Sequence, residues 1–425
     1  MSSIRWLTSL VRRYVPQLFR SSFSHGIRQA MAQGQPGQWA SDHHAESRRF
    51  TGWHYVAIHA KAKQAAAASC EVFSAGPAKG SDLRRSHDQE IAAGSTPLPA
   101  SHRLVRLLRR PNPWQAGASL RYEIAQQLDL TGTALIAKVR NRAGLPVELY
   151  VVPTAHARPL AACAEHPRGG WQVERSGRGT SLEPNIGYAS LIGTVIEPAD
   201  MLAIRWPHPL FKGDGQGAVS AGALWSDTAA QLDQSRWSHL RNGAVPSLLI
   251  APGADYQPDA AEIDRVLMAI ENRFAGPGNA GKSMILPPGA TVTPLASSAQ
   301  EMGYLEAFTQ LRDATLALHG TPGVAAGITD GGSYAAFYAA LQQFITLTVQ
   351  PMLTLMAEEL SEQLAVEFGE GLVVSLAAAS VDDPEMLERR LATDLAARAI
   401  TKNELRALRG LEPHPQGEAW AGEAA

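Results

Sequence analysis

Cysteine is scarce in this sequence: among 425 residues, only Cys70 and Cys163 occur. Two cysteines cannot build a disulfide framework or a four-cysteine zinc site, and a reducing, intracellular folding compartment is the simplest interpretation. Charged residues are also few, at 18% of the chain, where about a quarter is usual. The formal net charge of −2 excludes the overall basic excess that a tight, general nucleic-acid binder would show.

Long apolar runs are missing as well, since none approaches the roughly 18 residues that a membrane-spanning helix requires. The stretch from Ile4 to Phe19 comes nearest, but Arg12, Arg13 and Pro16 interrupt it. This interruption argues against a signal peptide and favours a short basic helix or a flexible arm over a membrane anchor. We therefore expect no membrane partner.

What the chain does contain is two long helical patterns between Ser298 and Phe368, joined by a glycine-rich hinge. The first begins at Ser298 with a capping box, in which a serine and a glutamate satisfy free backbone N–H groups reciprocally. Apolar residues then recur at steps of three and four as far as Leu318. We predict that Gly320 and Pro322 end this helix with a left-handed cap and a missing N–H.

Ser333 is expected to cap the second helix, whose apolar pattern continues to Leu364. Pro351 predicts a kink there, because proline removes a backbone hydrogen bond and crowds the preceding turn. At about 1.5 Å per residue, the two helices are rods of roughly 30 Å and 50 Å. Rods of this length need a large apolar partner, and we expect other copies of the chain to supply much of it.

Residues 53–206 predict an α+β lobe. A helix runs into a strand at residues 53–73, and a surface loop is expected over residues 76–101. The following helix is expected to bury Leu104, Leu107 and Leu108 and to expose its arginines. The arginines then form either a solvated helix face or a stripe that binds phosphate. Ser119 is expected to cap the next helix, and strands follow over residues 134–139, 147–152, 171–174, 191–196 and 201–206.

A compact α/β insertion is predicted between two long helices. A helix over residues 218–240 precedes it, and the insertion itself reads as a strand at 247–250, a helix at 259–274 and a strand at 283–286. Near the C-terminus, a strand at residues 372–376 and helices over 382–398 and 401–408 are expected.

Residues Gly276 to Ser283 match the P-loop pattern G-x-x-x-x-G-K-[ST], so a nucleotide-hydrolysing enzyme is the alternative function to consider. A P-loop needs a strand before it and a helix after it, so that the helix N-terminus meets the phosphates. Here a helical pattern precedes the loop, and Pro287 and Pro288 prevent a helix from starting at Ser283. The sequence therefore favours a turn with Lys282 exposed.

Three other groups of residues suggest chemistry, and each has a simpler interpretation. Ser220 is one residue away from the nucleophile elbow G-x-S-x-G, but no apolar strand leads into it. Four residues of a polar stretch have side chains that could bind a metal: Asp42, His43, His44 and Glu46. We interpret this stretch instead as a solvated tail, because metal ligands need rigid surroundings. The glutamates on the second long helix are expected to lie on a solvated face. They are Glu358, Glu359, Glu362 and Glu367. We predict no catalytic residue, metal or cofactor.

Four strings of residues occur in the order found in one known family. They are His102 to Pro113, Asn242-Gly243-Ala244-Val245-Pro246, Gly320-Thr321-Pro322 after the first long helix, and Thr401 to Pro413. With these strings, the chain resembles the HK97-type portal proteins of tailed bacteriophages over roughly residues 53 to 413. Thr321 departs from the family pattern, which more often has valine at this position.

The resemblance implies an α+β portal fold with an α/β wing, a two-helix stem, a small α/β clip, a long kinked wing helix and a small helical crown. The implied domains are a flexible arm (1–52), the wing (53–217), the stem helices (218–242 and 299–319), the clip (243–298), a hinge with the tunnel loop (320–333), the wing helix and a strand (334–381), the crown (382–412) and a disordered tail (413–425).

A function follows from the same resemblance. Portal proteins form a ring, usually of twelve subunits, at one vertex of the capsid, and assemble in the cytoplasm of the host bacterium. Double-stranded DNA driven by the terminase passes through the ring, which later holds the head-tail adaptor and neck proteins. The terminase large subunit, these adaptors and the major capsid protein are therefore the implied partners. ATP hydrolysis belongs to the terminase, so the chain itself is expected not to be an enzyme. Portals of gene transfer agents belong to the same class.

The resemblance also implies which residues carry this function. A tunnel loop would project into the DNA channel, where glycines let the backbone flex; it comprises Gly327, Ile328, Thr329, Asp330, Gly331, Gly332, Ser333 and Tyr334. Clip residues would contact terminase and adaptor; they are Asn242, Gly243, Pro246, Gly278, Asn279 and Lys282.

Overall fold

The computed structural model describes residues 42–74, 96–162, 169–174, 191–209, 215–241, 248–251, 291–294, 304–329, 333–379, 384–397 and 399–415, with the helical positions Ala261, Asp264, Arg265 and Met268. Helices and small antiparallel sheets make up this part of the chain, which confirms the predicted α+β class. The chain divides into two compact units. The first unit comprises Met1–His54, Asp129–Gly132 and Trp206–Leu318, and the second comprises Tyr55–Leu128, Thr133–Arg205 and His319–Ala425.

The helices are α1 (His43–Arg48), α2 (Gly52–Ala67), α3 (Arg103–Arg109), α4 (Gly117–Thr131), α5 (Ala218–Ala221), α6 (Ala223–Arg241), α7 (Tyr304–Leu318), α8 (Tyr334–Phe344), α9 (Gln350–Gln363), α10 (Pro384–Ala396) and α11 (Lys402–Leu408). Short 3₁₀ turns lie at Thr154–His156, Gly323–Ala326 and Ala365–Phe368. The strands are β1 (Ser69–Ser74), β2 (Thr96–Pro97), β3 (Thr133–Arg140), β4 (Pro146–Val152), β5 (Ala157–Leu160), β6 (Gly170–Val173), β7 (Val195–Ile196), β8 (Met201–Arg205), β9 (Leu248–Ala251), β10 (Thr291–Pro294) and β11 (Leu372–Ala377).

Three small antiparallel sheets form the framework of the second unit, with strand orders β11-β1-β2, β4-β3-β8 and β5-β6-β7. In the central sheet, Ile136 of β3 lies opposite Val151 of β4 and Leu202 of β8. Five of the eight positions of β3 are buried and apolar or threonine before the strand turns polar at Lys138, as expected for a strand covered on both faces. The sequence predicts a surface loop over residues 76–101. Within that range, however, β2 pairs with the end of β1.

Helix α9 packs against β11 and β8, the edge strands of two of these sheets. Its apolar face is fully covered, with Leu353 and Met356 at 0% exposure. Two glutamine side chains complete the packing. Gln350 bonds the carbonyl of Leu376 and the N–H of Ala378, while Gln363 exchanges two hydrogen bonds of 3.1 Å with the backbone of Ala203. These amides satisfy backbone groups that an open strand edge leaves unpaired.

Helix α3 has the predicted orientation, since Leu104, Leu107 and Leu108 are buried and the arginines are exposed. The following helix begins at Gly117, so Ser119 is not its cap, and that prediction was wrong. The N–H of Ser119 already donates to the carbonyl of Ala116. Gly117 lies so close to α3 that an added Cβ would stand 2.1 Å from the carbonyl oxygen of Leu108. The helix starts where this contact requires glycine.

In the first unit, α6 packs against α7, and β9 pairs with β10 in a two-stranded antiparallel sheet. The single helix predicted from residue 218 is broken at Gly222, where a Cβ would stand 2.1 Å from the Leu318 side chain of α7. The predicted helix over residues 259–274 is helical at its four described positions. The predicted capping box at Ser298 and the strand at 283–286 lie outside the described residues.

The interpretation of Asp42 and its neighbours as a solvated tail was wrong. The Asp42 side chain accepts a hydrogen bond from the N–H of His44 and caps α1. Glu46 is only 2% exposed, and it lies 2.8 Å from Nδ1 of His43. The polar side chains of this stretch thus support a helix, which the sequence pattern of a short segment did not reveal.

Gly320 takes the predicted left-handed conformation after α7, with φ of +62°. An added Cβ would stand 2.9 Å from Oγ1 of Thr348, which donates a hydrogen bond to the Gly320 carbonyl. The left-handed backbone costs a residue with a Cβ roughly 1–2 kcal/mol. We expect Gly320→Ala to lower the free energy of unfolding by more than this, because the new Cβ would also meet Thr348. Gly410→Ala is the matched control, because its φ is +68° and nothing lies within 4 Å of its Cβ position. Equal losses in chemical denaturation would show that the contact with Thr348 has no influence.

Candidate functional site

The predicted tunnel loop begins as a closed turn. Pro322 precedes the 3₁₀ turn Gly323–Ala326, and Gly327 ends this turn with a left-handed φ of +82°. The N–H of Ile328 donates to the carbonyl of Gly323 at 2.8 Å and so joins the two ends of the turn. Glycine suits position 327 because the left-handed conformation is unfavourable for residues with a Cβ. The described start of the predicted hinge is therefore a hydrogen-bonded turn.

Ser333 caps α8 as predicted, since its Oγ accepts a hydrogen bond from the N–H of Ala336. Thr329, Ser333 and Tyr334 are exposed, as a loop in an open channel would require. Asp330, Gly331 and Gly332 lie outside the described residues. Of the eight predicted loop residues, the structure thus places five, at two fixed ends. Their role in a channel stays a prediction.

An aromatic cluster at the start of α8 was missed in the sequence. The hydroxyls of Tyr334 and Tyr338 lie 2.9 Å apart, and their rings meet edge to face at 4.7 Å. Phe337 meets the ring of Tyr338 at 5.6 Å, also edge to face. Side chains four residues apart are neighbours on a helix, so the spacing of the two tyrosines was the available signal. The cluster stiffens the exposed helix end that follows the loop.

A π-helical turn, Ile345–Val349, lies directly before Pro351, the predicted kink. Proline at position 351 has no N–H to donate to the carbonyl four residues earlier, and its ring crowds that carbonyl. The wider π turn provides room for this defect, and such turns are common sites of helix bending. The sequence located the irregularity but not its form, and the kink itself stays a prediction.

Glu367 does not belong to a solvated face, contrary to the sequence prediction. Its carboxylate bonds Nζ of Lys138 at 2.7 Å and the guanidinium of Arg140. The same guanidinium bonds Asp200 at 2.5 Å, and Lys138 also donates to the carbonyl of Gln363. Burial alone would raise the pKa of Glu367, but the hydrogen bonds from Arg140 and Lys138 outweigh burial and lower its pKa. The cluster joins β3 to the end of the long helix.

Polar contacts also fix α6 within the first unit. His54 Nε2 and Ser226 Oγ are 2.7 Å apart and buried, and Arg49 forms an ion pair with Asp227. Arg236 lies 5.7 Å above the ring of Phe308 on α7, in a cation–π arrangement. These contacts hold the helix from its N-terminal half to its C-terminal half.

The same helix exposes three large apolar side chains. Trp237 is 66% exposed, Leu224 58% and Trp225 43%. Tryptophan is enriched at the binding centres of protein interfaces. We call Leu224, Trp225 and Trp237 the exposed α6 residues. They fit the expectation that neighbouring copies cover apolar parts of the rods.

The residues that suggested enzyme chemistry offer little support where the structure describes them. The Oγ of Ser220 donates to the carbonyl of Gly217 and lies in the short helix α5, not at a strand-to-helix turn. The P-loop match Gly276–Ser283 and the clip residues Asn242, Gly243, Pro246, Gly278, Asn279 and Lys282 lie outside the described residues. Among the described ones, no group of three or more His, Cys, Asp or Glu is placed to hold a metal ion. No helix in that same part of the chain is both long enough and apolar enough to span a bilayer.

Comparison with known proteins decides the family. The model of the phage portal protein family matches residues 57–410, which is most of the chain. The chain belongs to the phage portal protein family. This confirms the resemblance drawn from the four sequence strings, and portal function follows from it. The portal family is structural rather than enzymatic, and the match gives no support to a P-loop enzyme.

Relatives of this portal protein include two uncharacterized proteins from Rickettsia. The protein of Rickettsia bellii (strain RML369-C) is 25% identical over 325 residues, 75% of this chain and 80% of its own. That of Rickettsia felis (strain ATCC VR-1525 / URRWXCal2) is 25% identical over 317 residues, 73% of this chain and 78% of its own. Both relatives align with most of their length.

Solved structures share the fold of this portal protein. A chain in the neck of an empty gene transfer agent (GTA) particle, computed with C6 symmetry, has a TM-score of 0.56 and 22% identity, covering 90% of this chain and 96% of its own. A chain in the virion of a native GTA particle has a TM-score of 0.55 and 23% identity, covering 92% and 99%. The HK97 family phage portal protein of Corynebacterium diphtheriae has a TM-score of 0.52 and 12% identity, covering 81% and 96%.

Proposed function

We propose that this portal protein forms a ring of twelve subunits at one capsid vertex, through which double-stranded DNA is packaged and later ejected. The observation that carries the proposal is the portal family match over residues 57–410. Chains of the same fold occur in GTA necks computed with C6 and with C12 symmetry, which supports a cyclic arrangement. The native GTA virion contains such a chain as well, which supports a place in the particle.

A ring built from one kind of subunit requires a head-to-tail interface, in which two different surfaces of the chain meet. The exposed α6 residues suit such contacts, because tryptophan and leucine side chains bury large apolar areas in an interface. They lie on a helix that polar contacts and α7 hold in place. A rigid helix with exposed anchors suits an interface that must recur identically around a ring.

The partners of the ring follow from its place at the vertex. The clip, residues 243–298, would contact the terminase large subunit during packaging and the head-tail adaptor and neck proteins afterwards, while other surfaces meet the major capsid protein. Assembly would take place in the cytoplasm of the host bacterium. No step of this function requires catalysis by the portal itself, because ATP hydrolysis belongs to the terminase.

The tunnel loop, Gly327 to Tyr334, would face the DNA. Its described ends bring one aromatic hydroxyl pair and no basic side chain toward the loop. Exposed carboxylates at Glu358 and Glu362 on α9 add negative charge to the same long helix. Such surfaces bind phosphate weakly, and weak binding suits a protein that lets DNA slide.

Removing residues 330–332 tests the channel assignment. The deletion keeps the turn closed by Ile328 and the cap at Ser333, so we expect purified protein to form normal rings with a central hole in negative-stain images. Packaging should fall by about tenfold or more, measured as nuclease-protected DNA per particle with the cognate terminase. The control replaces Gly331 and Gly332 by serine, which keeps the length of the loop. Normal rings with undiminished packaging would contradict the channel assignment, whereas a stable single particle without a hole would contradict the ring itself.

A further inference from the structure

A basic groove lies on the second unit, next to helix α3. It is bounded by α3 and the residues after it on one side and by the turn between β3 and β4 on the other, and it has a volume of about 960 Å³. Four arginines line it: Arg103, Arg106, Arg109 and Arg110. Among the described residues that line the groove, none is an aspartate or a glutamate. In a chain with net charge −2, this is a strong local concentration of positive charge.

The packing of α3 explains why the arginines face the groove. Its three leucines are buried, so the helix period places the arginines on the opposite, exposed side. Within the described residues, none of the four forms an ion pair, and Arg110 donates only a long 3.4 Å bond to the carbonyl of Pro113. Their charge is therefore available to a ligand.

The groove also has an apolar part, formed by Trp114, Val147 and Phe368 among others. Trp114 is 61% exposed and Val147 45%, which is unusual for side chains of this size. Arginine and tryptophan together are the residues most enriched where protein interfaces gain their binding energy. A ligand that fills this groove must therefore combine negative charge with an apolar anchor.

We propose that the groove binds the C-terminal segment of this chain, Gln416–Ala425, with the Trp420 side chain against Trp114 and Val147 and the two glutamates of the segment paired with groove arginines. The segment reads Gln-Gly-Glu-Ala-Trp-Ala-Gly-Glu-Ala-Ala and contains no lysine or arginine. Glu418 precedes its single tryptophan by two residues, and Glu423 follows it by three. The charge and the anchor complement the groove.

Composition argues against the other stretches outside the described residues as occupants, because the acidic stretch over residues 252–290 contains no tryptophan and the following stretches lack a negative excess. Residues 1–41 are rich in arginine, residues 75–95 carry balanced charge, and residues 175–190 have two arginines and one glutamate. Duplex DNA offers negative charge but no apolar side chain, and a convex cylinder would leave the concave apolar part of the groove unfilled. An acidic peptide with an aromatic anchor satisfies both parts.

Photo-crosslinking of the full chain tests this proposal, with p-benzoylphenylalanine in place of Trp420. We expect crosslinks to residues 103–116 and 145–147, identified by mass spectrometry. The double variant Arg106→Glu, Arg110→Glu should lower their yield by about tenfold, because two attractive charge pairs become repulsive. Adding Glu418→Arg and Glu423→Arg in the same chain should restore most of the yield. Arg142→Glu is the matched control, because Arg142 is exposed and does not line the groove.

Three results would overturn the proposal. The first is crosslinks elsewhere or none at all, the second is a crosslinking yield that does not fall in the double variant, and the third is a yield that the charge exchange does not restore. A fluorescent 20-base-pair duplex serves as a second probe. Duplex binding that is lost in the double variant, with crosslinking unchanged, would make the groove a nucleic-acid site instead. Negative-stain images of each variant report the ring separately, so failure of this proposal is distinguishable from failure of the ring.

Discussion

Glu367→Ala is expected to lower the free energy of unfolding of the second unit by about 3 kcal/mol, the lower end of what removing one partner of a buried ion pair costs. The Lys138 side chain is only 6% exposed, so without Glu367 its charge keeps, among the described residues, the carbonyl of Gln363 as a partner. The Arg140 side chain is more exposed and retains Asp200. The loss therefore arises mainly from the lysine, and chemical denaturation followed by circular dichroism measures it.

The effect should depend on pH in a defined direction. Because the folded state lowers the pKa of Glu367, its contribution is fully present above the pKa of the unfolded chain and is lost as the pH falls through the folded pKa. The difference between wild type and variant should therefore be constant near neutral pH and shrink in acid. Glu362→Ala is the control, since Glu362 is exposed near the end of α9, just before the turn that carries Glu367. A loss below about 1 kcal/mol, the range of exposed pairs, would mean that the cluster is too hydrated to stabilise the fold.

Helices and caps were the features that could be predicted from the sequence, because they depend on residues close together in the chain. The orientation of α3, the end of α7 at Gly320 and the serine cap of α8 are all confirmed. Each depends on side chains within one or two turns of the backbone they serve.

Contacts between distant residues could not be predicted in the same way. Glu367 looked like one of several glutamates on a solvated face, and only the fold places it beside Lys138 and Arg140, more than 220 positions earlier. Gly117 begins α4 where the Leu108 carbonyl of α3 approaches too closely for a Cβ, and Gly222, beside the Leu318 side chain of α7, interrupts the helix predicted from residue 218. Helix patterns do not encode such approaches, so the predicted starts of α4 and α6 were displaced.

For the functional residues, the family could be inferred from the sequence, while part of the local geometry is visible only in the structure. The strings that identified the portal family span the chain, and the family match confirms them. The tunnel loop is fixed at both described ends, which the glycines alone did not indicate. The aromatic pair at Tyr334 lies in a segment that the sequence marks only as the start of a helix. The arginine groove at Trp114 lies beside a helix face for which the sequence predicts contact with solvent or phosphate.

Trp237→Glu should abolish ring formation while leaving the subunit folded. Trp237 is 66% exposed in the single chain, so its replacement should change folding stability by only about 0.5 kcal/mol. A buried tryptophan anchor contributes about 2 kcal/mol or more to an interface, which weakens each contact roughly 30-fold. Every interface of a closed ring carries the same substitution, and a buried carboxylate adds a desolvation cost, so the losses accumulate around the ring. Light scattering after gel filtration should show monomers at a concentration where the wild type forms rings.

Gln234→Glu is the matched control for this prediction, because it adds the same charge at another exposed position of α6 and removes no apolar surface. Rings should persist in the control, and Trp225→Glu should behave like Trp237→Glu if both tryptophans lie in the interface. Rings that survive both tryptophan substitutions would show that α6 faces solvent in the assembly, and the subunit contacts would then have to involve other helices. Rings lost in the control as well would point to charge repulsion along α6 instead of a missing apolar anchor.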